Sequence, residues 1–149
     1  MEIWGWGDKK KVIKKKILLI DDEVDFCYFT KKFLEHDKEL EVIIENSARH
    51  GIDIAIEQKP DLILLDIMMP DMDGFAMLAR LKNKIETRSI PVIMLTAKSG
   101  LKSIVQAQKS LVTDYIIKPF GPDKLLKAIK KCLGLKSNNE HAGKGKTQT

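Results

Sequence analysis

Short apolar runs alternate along the chain with longer stretches in which apolar residues recur at helical spacing. Runs made almost entirely of Ile, Leu, Val and Met favour strands that are covered on both faces of a sheet. Strands that alternate with helices are typical of a parallel sheet with crossover connections. The sequence therefore predicts an α/β fold with five strands, at Lys16–Ile20, Leu40–Glu45, Asp61–Leu65, Pro91–Leu95 and Thr113–Ile116.

The first predicted helix carries an aromatic stripe. Phe26, Phe29, Thr30 and Phe33 are spaced i, i+3, i+4 and i+7, so they share one side of a helix. We expect this stripe to pack on the sheet as core rather than around a cofactor.

Four further helices follow the later strands. Ser47 is a suitable N-cap for the second helix, which is expected to end before Pro60. The apolar side of that helix is formed by Ala48, Ile52, Ala55 and Ile56. The remaining three helices are predicted at Gly74–Lys82, Gly100–Lys109 and Pro122–Leu133, and Pro122 suits a first helical turn.

Length and composition favour one domain. A chain of 149 residues with 44% hydrophobic and 32% charged residues can bury a single core. We expect that domain at residues 16–133, after a basic leader at 1–15 and before a disordered polar tail at 134–149. The tail is too short for a helix-turn-helix, so no DNA-binding output domain is expected in this chain.

The sequence also indicates in which cellular compartment the protein is expected. No apolar run approaches the roughly 20 residues of a membrane span, and the N-terminus lacks the order of a signal peptide. A cytoplasmic protein without a membrane partner is expected. Cys27 and Cys132 lack metal-site spacing and are predicted to be reduced packing residues.

The net charge of +5 would suggest nucleic acid if it lay on the folded body. It lies at the two ends instead. Residues 1–16 hold six lysines against two acidic residues, and residues 134–149 hold three lysines against one. A near-neutral body argues against nucleic-acid binding, although the lysines of residues 9–16 leave open a contact with an acidic partner.

Polar residues follow the predicted strands at their carboxyl ends, where ligands collect in open parallel sheets. Asp21 and Asp22 follow the first strand, Asp66 the third and Thr96 the fourth, and Lys118 lies just beyond the fifth. Three enclosed carboxylates repel one another and require a cation. Oxygen ligands without His or Cys favour Mg²⁺.

A lysine, a hydroxyl and a magnesium ion around one carboxylate are the groups needed to receive a phosphoryl group, with an acyl phosphate as product. Each residue has a simpler interpretation when taken alone. The acidic pair or Thr96 suits a helix cap, Lys118 a solvated charge, and Asp66 a turn before Pro70. Their joint placement at strand ends favours the chemical interpretation. The isomer of the Lys118–Pro119 bond stays open.

These residues resemble the receiver domain of bacterial two-component response regulators over about Lys16 to Leu133. The resemblance lies in Asp21-Asp22, the Asp-x-x-Met-Pro-x-Met-Asp-Gly loop from Asp66 to Gly74, Thr96-Ala97, and the segment from Asp114 to Phe120. It implies a doubly wound, flavodoxin-like (βα)5 fold with parallel strand order 2-1-3-4-5. It also implies a signalling switch rather than an enzyme.

The resemblance further implies individual roles. Asp66 would accept a phosphoryl group from a sensor histidine kinase or a histidine phosphotransfer protein. Mg²⁺ would be held by Asp22, Asp66 and the backbone carbonyl of Met68, with Asp21 acting through water. Thr96 would turn toward the phosphoryl group, Lys118 would pair with it, and Tyr115 would move inward with Thr96.

The implied output face is formed by the fourth helix, fifth strand and fifth helix, and the kinase would dock near the first helix. A homodimer through the output face, the pathway, the downstream target and the completeness of the chain stay open. Leu111-Val112 stands where the family usually has a Gly-Ala pair, so the packing of the fourth helix is expected to depart from the family pattern. The resemblance also implies that Met68 and Lys98 occupy positions that tune dephosphorylation in this family.

Two other functions are compatible with parts of this sequence. A phosphatase of the haloacid dehalogenase type would place a second aspartate two residues after its nucleophile, but Met68 stands there. A receiver-like module that has lost phosphorylation is the other alternative, and the presence of all the functional side chains argues against it.

Overall fold

Five parallel strands form one sheet in the order β2-β1-β3-β4-β5, in a computed structural model that describes residues 12–97 and 112–137. The strands are β1 (Lys15–Ile20), β2 (Leu40–Glu45), β3 (Leu62–Asp66), β4 (Val92–Thr96) and β5 (Asp114–Ile117). The described helices are α1 (Val24–Leu34), α2 (Ala48–Gln58), α3 (Gly74–Asn83) and α4 (Pro122–Leu133).

The predicted fold class and strand order are confirmed, and the strand limits differ by at most one residue at either end. The difference is informative at β3 and β4, because Asp66 and Thr96 are the last strand residues rather than the first loop residues. Pro122 begins α4 as predicted. The predicted helix at Gly100–Lys109, most of the leader and most of the tail lie outside the described residues.

Two apolar layers cover the sheet because alternate strand residues point to opposite faces. In β1, Leu18 and Ile20 belong to the layer that includes α2 and α3. Ile17 and Leu19 belong to the layer that includes α1 and α4. All of β3 and β4 is buried, which agrees with their near-continuous apolar sequences.

The prediction that the aromatic stripe of α1 is core is confirmed for Thr30, holds in part for Phe26 and Phe33, and is wrong for Phe29. The residues of α1 that are buried are Cys27, Thr30 and Leu34, whereas Phe29 is 67% exposed. Phe26 and Phe33 are half-buried at the edge of the core layer. One residue turns a helix by about 100°, so the aromatic positions lie beside the sheet-facing positions and border a groove next to α4.

The cap of α2 also differs from expectation. Ser47 lies at the N-cap with extended backbone angles, but its side chain makes no capping hydrogen bond to its own helix. The hydroxyl instead donates to Asp71 of the β3–α3 loop. Both cysteines are free, and in the described part of the chain no helix has the length and apolar character to cross a membrane.

Candidate functional site

Three carboxylates meet at the carboxyl end of the sheet. Asp21 directly follows β1, Asp22 comes next, and Asp66 ends β3, the strand beside β1. One oxygen from each lies within 4.8 Å of the other two. Asp21 and Asp66 are buried and Asp22 is half-buried, so the sequence prediction that these residues come together is confirmed by the geometry.

Lys118 supplies a positive charge to this cluster from the residue after β5. Its ammonium donates to Asp21 Oδ2 at 2.6 Å and lies 3.9 Å from Asp66 Oδ2. The Lys118–Pro119 peptide bond is cis. The ring of Phe26 packs over the ammonium, with 4.1 Å between the nitrogen and the ring centroid. Lys118 is therefore fixed between an aromatic ring and two carboxylates.

Burial and like charge set the ionisation of the site. Burial and the charge of Asp21 raise the pKa of Asp66 from 3.8 to about 6, against the lowering effects of the Met68 amide and Lys118. Burial lowers the pKa of Lys118, but its hydrogen bond and charge interaction with Asp21 outweigh burial and raise the pKa above its ordinary value. The lysine is thus charged at neutral pH.

The β3–α3 loop folds back beside Asp66. The Met68 amide donates to Asp66 Oδ1 at 3.1 Å, and the Gly74 amide donates to the Ile67 carbonyl at 3.1 Å. Met68 also pairs with Asp73 in an isolated antiparallel bridge. Asp73 caps α3 by accepting from the Phe75 amide at 3.0 Å. The Pro and Gly of this loop therefore belong to a closed turn, as their sequence indicated.

The two predicted switch residues lie on neighbouring strands. Thr96 ends β4 and is buried, and its carbonyl accepts from the Lys118 amide. Tyr115 lies in β5, is half-buried and packs against the core layer on the α2 and α3 side. Thr96 stands at the same end of the sheet as Asp66, whereas Tyr115 pairs with Met94, two residues before the end of β4. Lys98 lies outside the described residues.

Two residues that were not predicted as part of the site hold the backbone of Asp21 in place. Asn46 Nδ2 donates to the Asp21 carbonyl at 2.9 Å, and the Cys27 thiol donates to the same carbonyl at 3.3 Å. Burial and the charge of Asp21 raise the pKa of Cys27 to about 12, so it stays a thiol. Asn46 directly follows β2, so the strand-end rule could have found it.

The donor set suits a hard divalent cation. The three clustered side chains offer carboxylate oxygens alone, and no His or soft ligand belongs to the group within the described residues. Such oxygen-only sites are typical of Mg²⁺, which also retains waters and phosphoryl oxygens as ligands. The residues present therefore fit this ion.

Comparison with known proteins gives a consistent result. A family model described as the response regulator receiver domain matches residues 17–130. The transcriptional regulatory protein SrrA of Staphylococcus aureus is 33% identical over 121 residues, which cover 81% of this chain and 48% of that protein. The chain thus spans about half the length of the curated relatives it matches.

Solved structures agree with the sequence matches. A CheY-like response regulator receiver domain protein from Methanospirillum hungatei is 31% identical, with a TM-score of 0.73, covering 81% of this chain and 94% of that chain. The chemotaxis protein CheY4 of Vibrio cholerae is 27% identical, with a TM-score of 0.72, covering 80% of this chain and 99% of that chain.

Proposed function

Since this chain belongs to the response regulator receiver domain family, whose members are signalling switches, we propose that Asp66 is its phosphorylation site. The observation that carries the proposal is the cluster at the sheet end. Asp66 is buried beside two further carboxylates and within 3.9 Å of a lysine ammonium. A carboxylate so placed has both the nucleophilic oxygen and the compensating charges that phosphoryl transfer requires.

The phosphoryl donor is a phosphohistidine of a sensor kinase or phosphotransfer protein. An Asp66 carboxylate oxygen attacks phosphorus and forms the new P–O bond, and the P–N bond to the imidazole breaks. The electron pair of that bond stays on the imidazole nitrogen, which takes a proton. Lys118 offsets the charge of the phosphoryl oxygens as they approach. Asp66 is ionised for the attack above its raised pKa of about 6.

The metal site would be formed by Asp22, Asp66 and the Met68 carbonyl, with Asp21 acting through water. Bound Mg²⁺ would neutralise phosphoryl oxygens and the carboxylates of the cluster. The three carboxylate side chains already share one small volume. Lys118 and its hydrogen bond with Asp21 offset part of their mutual repulsion.

Phosphorylation would change binding through Thr96 and Tyr115. Thr96 would turn its hydroxyl toward the phosphoryl group, and Tyr115 would move inward from its half-buried position on β5. The output surface would include β5, α4 (Pro122–Leu133) and the helix predicted at Gly100–Lys109. New charge at a buried site is a suitable trigger for such a two-state change.

The donor protein would dock over α1. This helix begins three residues after Asp21 and exposes the large apolar side chains of Val24, Tyr28 and Phe29. Phe26 joins the same region to Lys118 through its ring contact. An exposed apolar surface that adjoins a reactive group is typical of a protein-binding site.

The experiment that tests phosphorylation uses acetyl phosphate and Mg²⁺ with the intact chain. Mass spectrometry should show the gain of one phosphoryl group, and Asp66→Asn should abolish the gain. Asp53→Asn, at an exposed position on α2, is the matched control and should be phosphorylated normally. Absence of the mass gain in the wild-type chain, or its survival in Asp66→Asn, would overturn the proposal.

A further inference from the structure

One side chain joins the β3–α3 loop to the start of α2. Asp71 Oδ2 accepts from the Ser47 hydroxyl at 2.9 Å and from the Arg49 amide at 3.3 Å. The first amides of a helix have no partner within the helix. The Ser47 side chain does not cap its own helix. Asp71, 24 residues further along the chain, provides an acceptor for the Arg49 amide instead. The cap of α2 and the loop are therefore one structural unit.

The charge of Asp71 suits this position. An anionic side chain is stabilising at a helix N-terminus because the first amides carry partial positive charge. Burial alone would raise the pKa of Asp71, but its hydrogen bonds with the Ser47 hydroxyl and the Arg49 amide outweigh burial and lower the pKa. The Asp71 carboxylate is consequently ionised at neutral pH. Its two hydrogen bonds are therefore charge-assisted, which makes them stronger than hydrogen bonds between neutral groups.

The same loop carries the Met68 carbonyl. At its base the loop is closed by the Gly74 amide, which donates to Ile67, and by the bridge between Met68 and Asp73. Next to Met68, Met69 is buried, whereas Pro70 is exposed. Asp71 is the point at which the outer part of the loop is tied to a helix.

We infer that Asp71 is a positioning residue, which holds the β3–α3 loop against α2 and thereby fixes the Met68 carbonyl beside Asp66. The inference rests on the proposed function for its consequence in metal binding. It does not rest on that function for its structural content, which concerns the order of the loop in the metal-free protein.

The test compares Asp71→Ala with Asp71→Asn in the intact chain. The alanine variant loses the acceptor for both donors, and we expect about a tenfold rise in the Mg²⁺ dissociation constant, a typical loss for a residue behind a ligand. The asparagine variant keeps an acceptor oxygen and should remain close to wild type. Isothermal titration calorimetry with MgCl₂ measures the affinity.

Hydrogen exchange of the metal-free protein gives the second measurement. The amides of Met68 and Gly74, which are hydrogen-bonded within the loop, should exchange faster in Asp71→Ala and at the wild-type rate in Asp71→Asn. Ile56→Ala is the control for general loss of stability, because Ile56 lies in the second half of α2, away from its N-cap, and packs on the core. It should leave both loop amides and the Mg²⁺ affinity unchanged.

Two results would overturn the inference. One is exchange of both loop amides in Asp71→Ala within twofold of wild type. The other is an equal change in Ile56→Ala, which would assign the effect to stability alone. If Asp71→Ala does not fold, Ser47→Ala removes one of the two donors and must show the same acceleration in weaker form. A failure of wild-type phosphorylation would count against the proposed function, whereas the exchange rates judge Asp71 independently.

Discussion

Gly74 begins α3 directly against the backbone of Asp66, the proposed phosphorylation site. A Cβ atom at this position would lie 2.6 Å from the Asp66 carbonyl oxygen and 2.6 Å from the Ile67 Cα atom. Both neighbours are backbone atoms, so they cannot turn aside as a flexible side chain would. A side chain here would have to displace the end of β3 or the start of α3.

We therefore expect Gly74→Ala to lower the free energy of unfolding by about 2 to 3 kcal/mol, the cost of overpacking a closed site. Urea denaturation measures this loss. Gly121→Ala is the control, because its Cβ would have no neighbour within 4 Å. Equal stability of the two variants would contradict the argument.

Asp66 couples the chemistry of the site to the stability of the fold. Its pKa is raised from 3.8 to about 6 by burial and by Asp21, so the folded state holds the proton more tightly than the unfolded state. The stabilisation due to protonation is complete below pH about 4 and is lost as the pH rises through about 6. At neutral pH the ionised carboxylate weakens the metal-free fold.

Asp66→Asn should therefore raise the free energy of unfolding at pH 7, by up to about 3 kcal/mol at 1.36 kcal/mol for each pKa unit. Urea denaturation in EDTA between pH 4 and pH 8 tests this. The wild-type protein should lose stability relative to the variant across the interval, while Asp53→Asn follows the wild type. Parallel pH profiles for wild type and Asp66→Asn would refute the coupling.

At the scale of elements, strands were more predictable than the orientation of helices. A strand buried on both faces has an apolar run that marks its position directly, and the limits of β1 to β5 follow within one residue. The helical period of Phe26, Phe29 and Phe33 fits α1 but does not state which side meets the sheet. That choice depends on packing with β2 and α4, which no local pattern contains.

The candidate site likewise has a part that local sequence predicts and a part that depends on how the elements pack. The rule that ligands collect at strand ends brought together Asp21, Asp66 and Lys118. The hydrogen bond from Ser47 to Asp71 was beyond the sequence, because it joins side chains 24 residues apart in two different loops. Contacts of this kind depend on the relative placement of elements, so they follow from the fold rather than from periodicity.

A buried ion pair fixes the last turn of α4. Lys130 of α4 is 2% exposed and pairs with Asp37 in the connection between α1 and β2. Burial alone would raise the pKa of Asp37, but Lys130 and the Glu39 amide outweigh it and lower the pKa. The stability that Asp37 contributes is therefore present above its ordinary pKa and is lost as the pH falls through the lowered folded-state value.

Lys130→Met should lower the free energy of unfolding by about 3 kcal/mol, because it leaves a carboxylate without its partner in a site of low exposure. Lys131→Met changes an exposed neighbour on the same helix and should have little effect. Asp37→Asn combined with Lys130→Met should recover part of the loss. Thermal and urea denaturation at pH 7 give the comparison, and equal effects of Lys130→Met and Lys131→Met would refute the role of the pair.

At the scale of the whole molecule, the carboxylate cluster lies next to the exposed apolar residues of α1. The carboxylate cluster occupies one end of the sheet, and α1 extends from that end with Tyr28 and Phe29 exposed. The ion pair between Asp37 and Lys130 lies at the other end of α1 and α4. In the proposed complex, a donor protein that covers α1 would bring its phosphohistidine close to Asp66. It would not need to contact the end of α1 and α4 at which Asp37 and Lys130 pair.

Phe29→Ser separates docking from chemistry. Phe29 is exposed and lies outside the carboxylate cluster, so phosphorylation by acetyl phosphate should proceed at the wild-type rate. Transfer from an autophosphorylated histidine kinase selected for its activity on the wild-type chain should fall about tenfold, since truncation of an interface anchor costs roughly 1 to 2 kcal/mol.

Ile85→Ser is the matched control, because it removes an exposed apolar side chain far along the chain, after α3. It should leave both reactions unchanged, and initial rates of radiolabel transfer provide the measurement. A fall in both reactions for Phe29→Ser would indicate damage to the site, and an unchanged kinase reaction would remove α1 from the docking surface. Only selective loss of protein-to-protein transfer fits a partner that binds the apolar side of α1 while its phosphohistidine reaches Asp66.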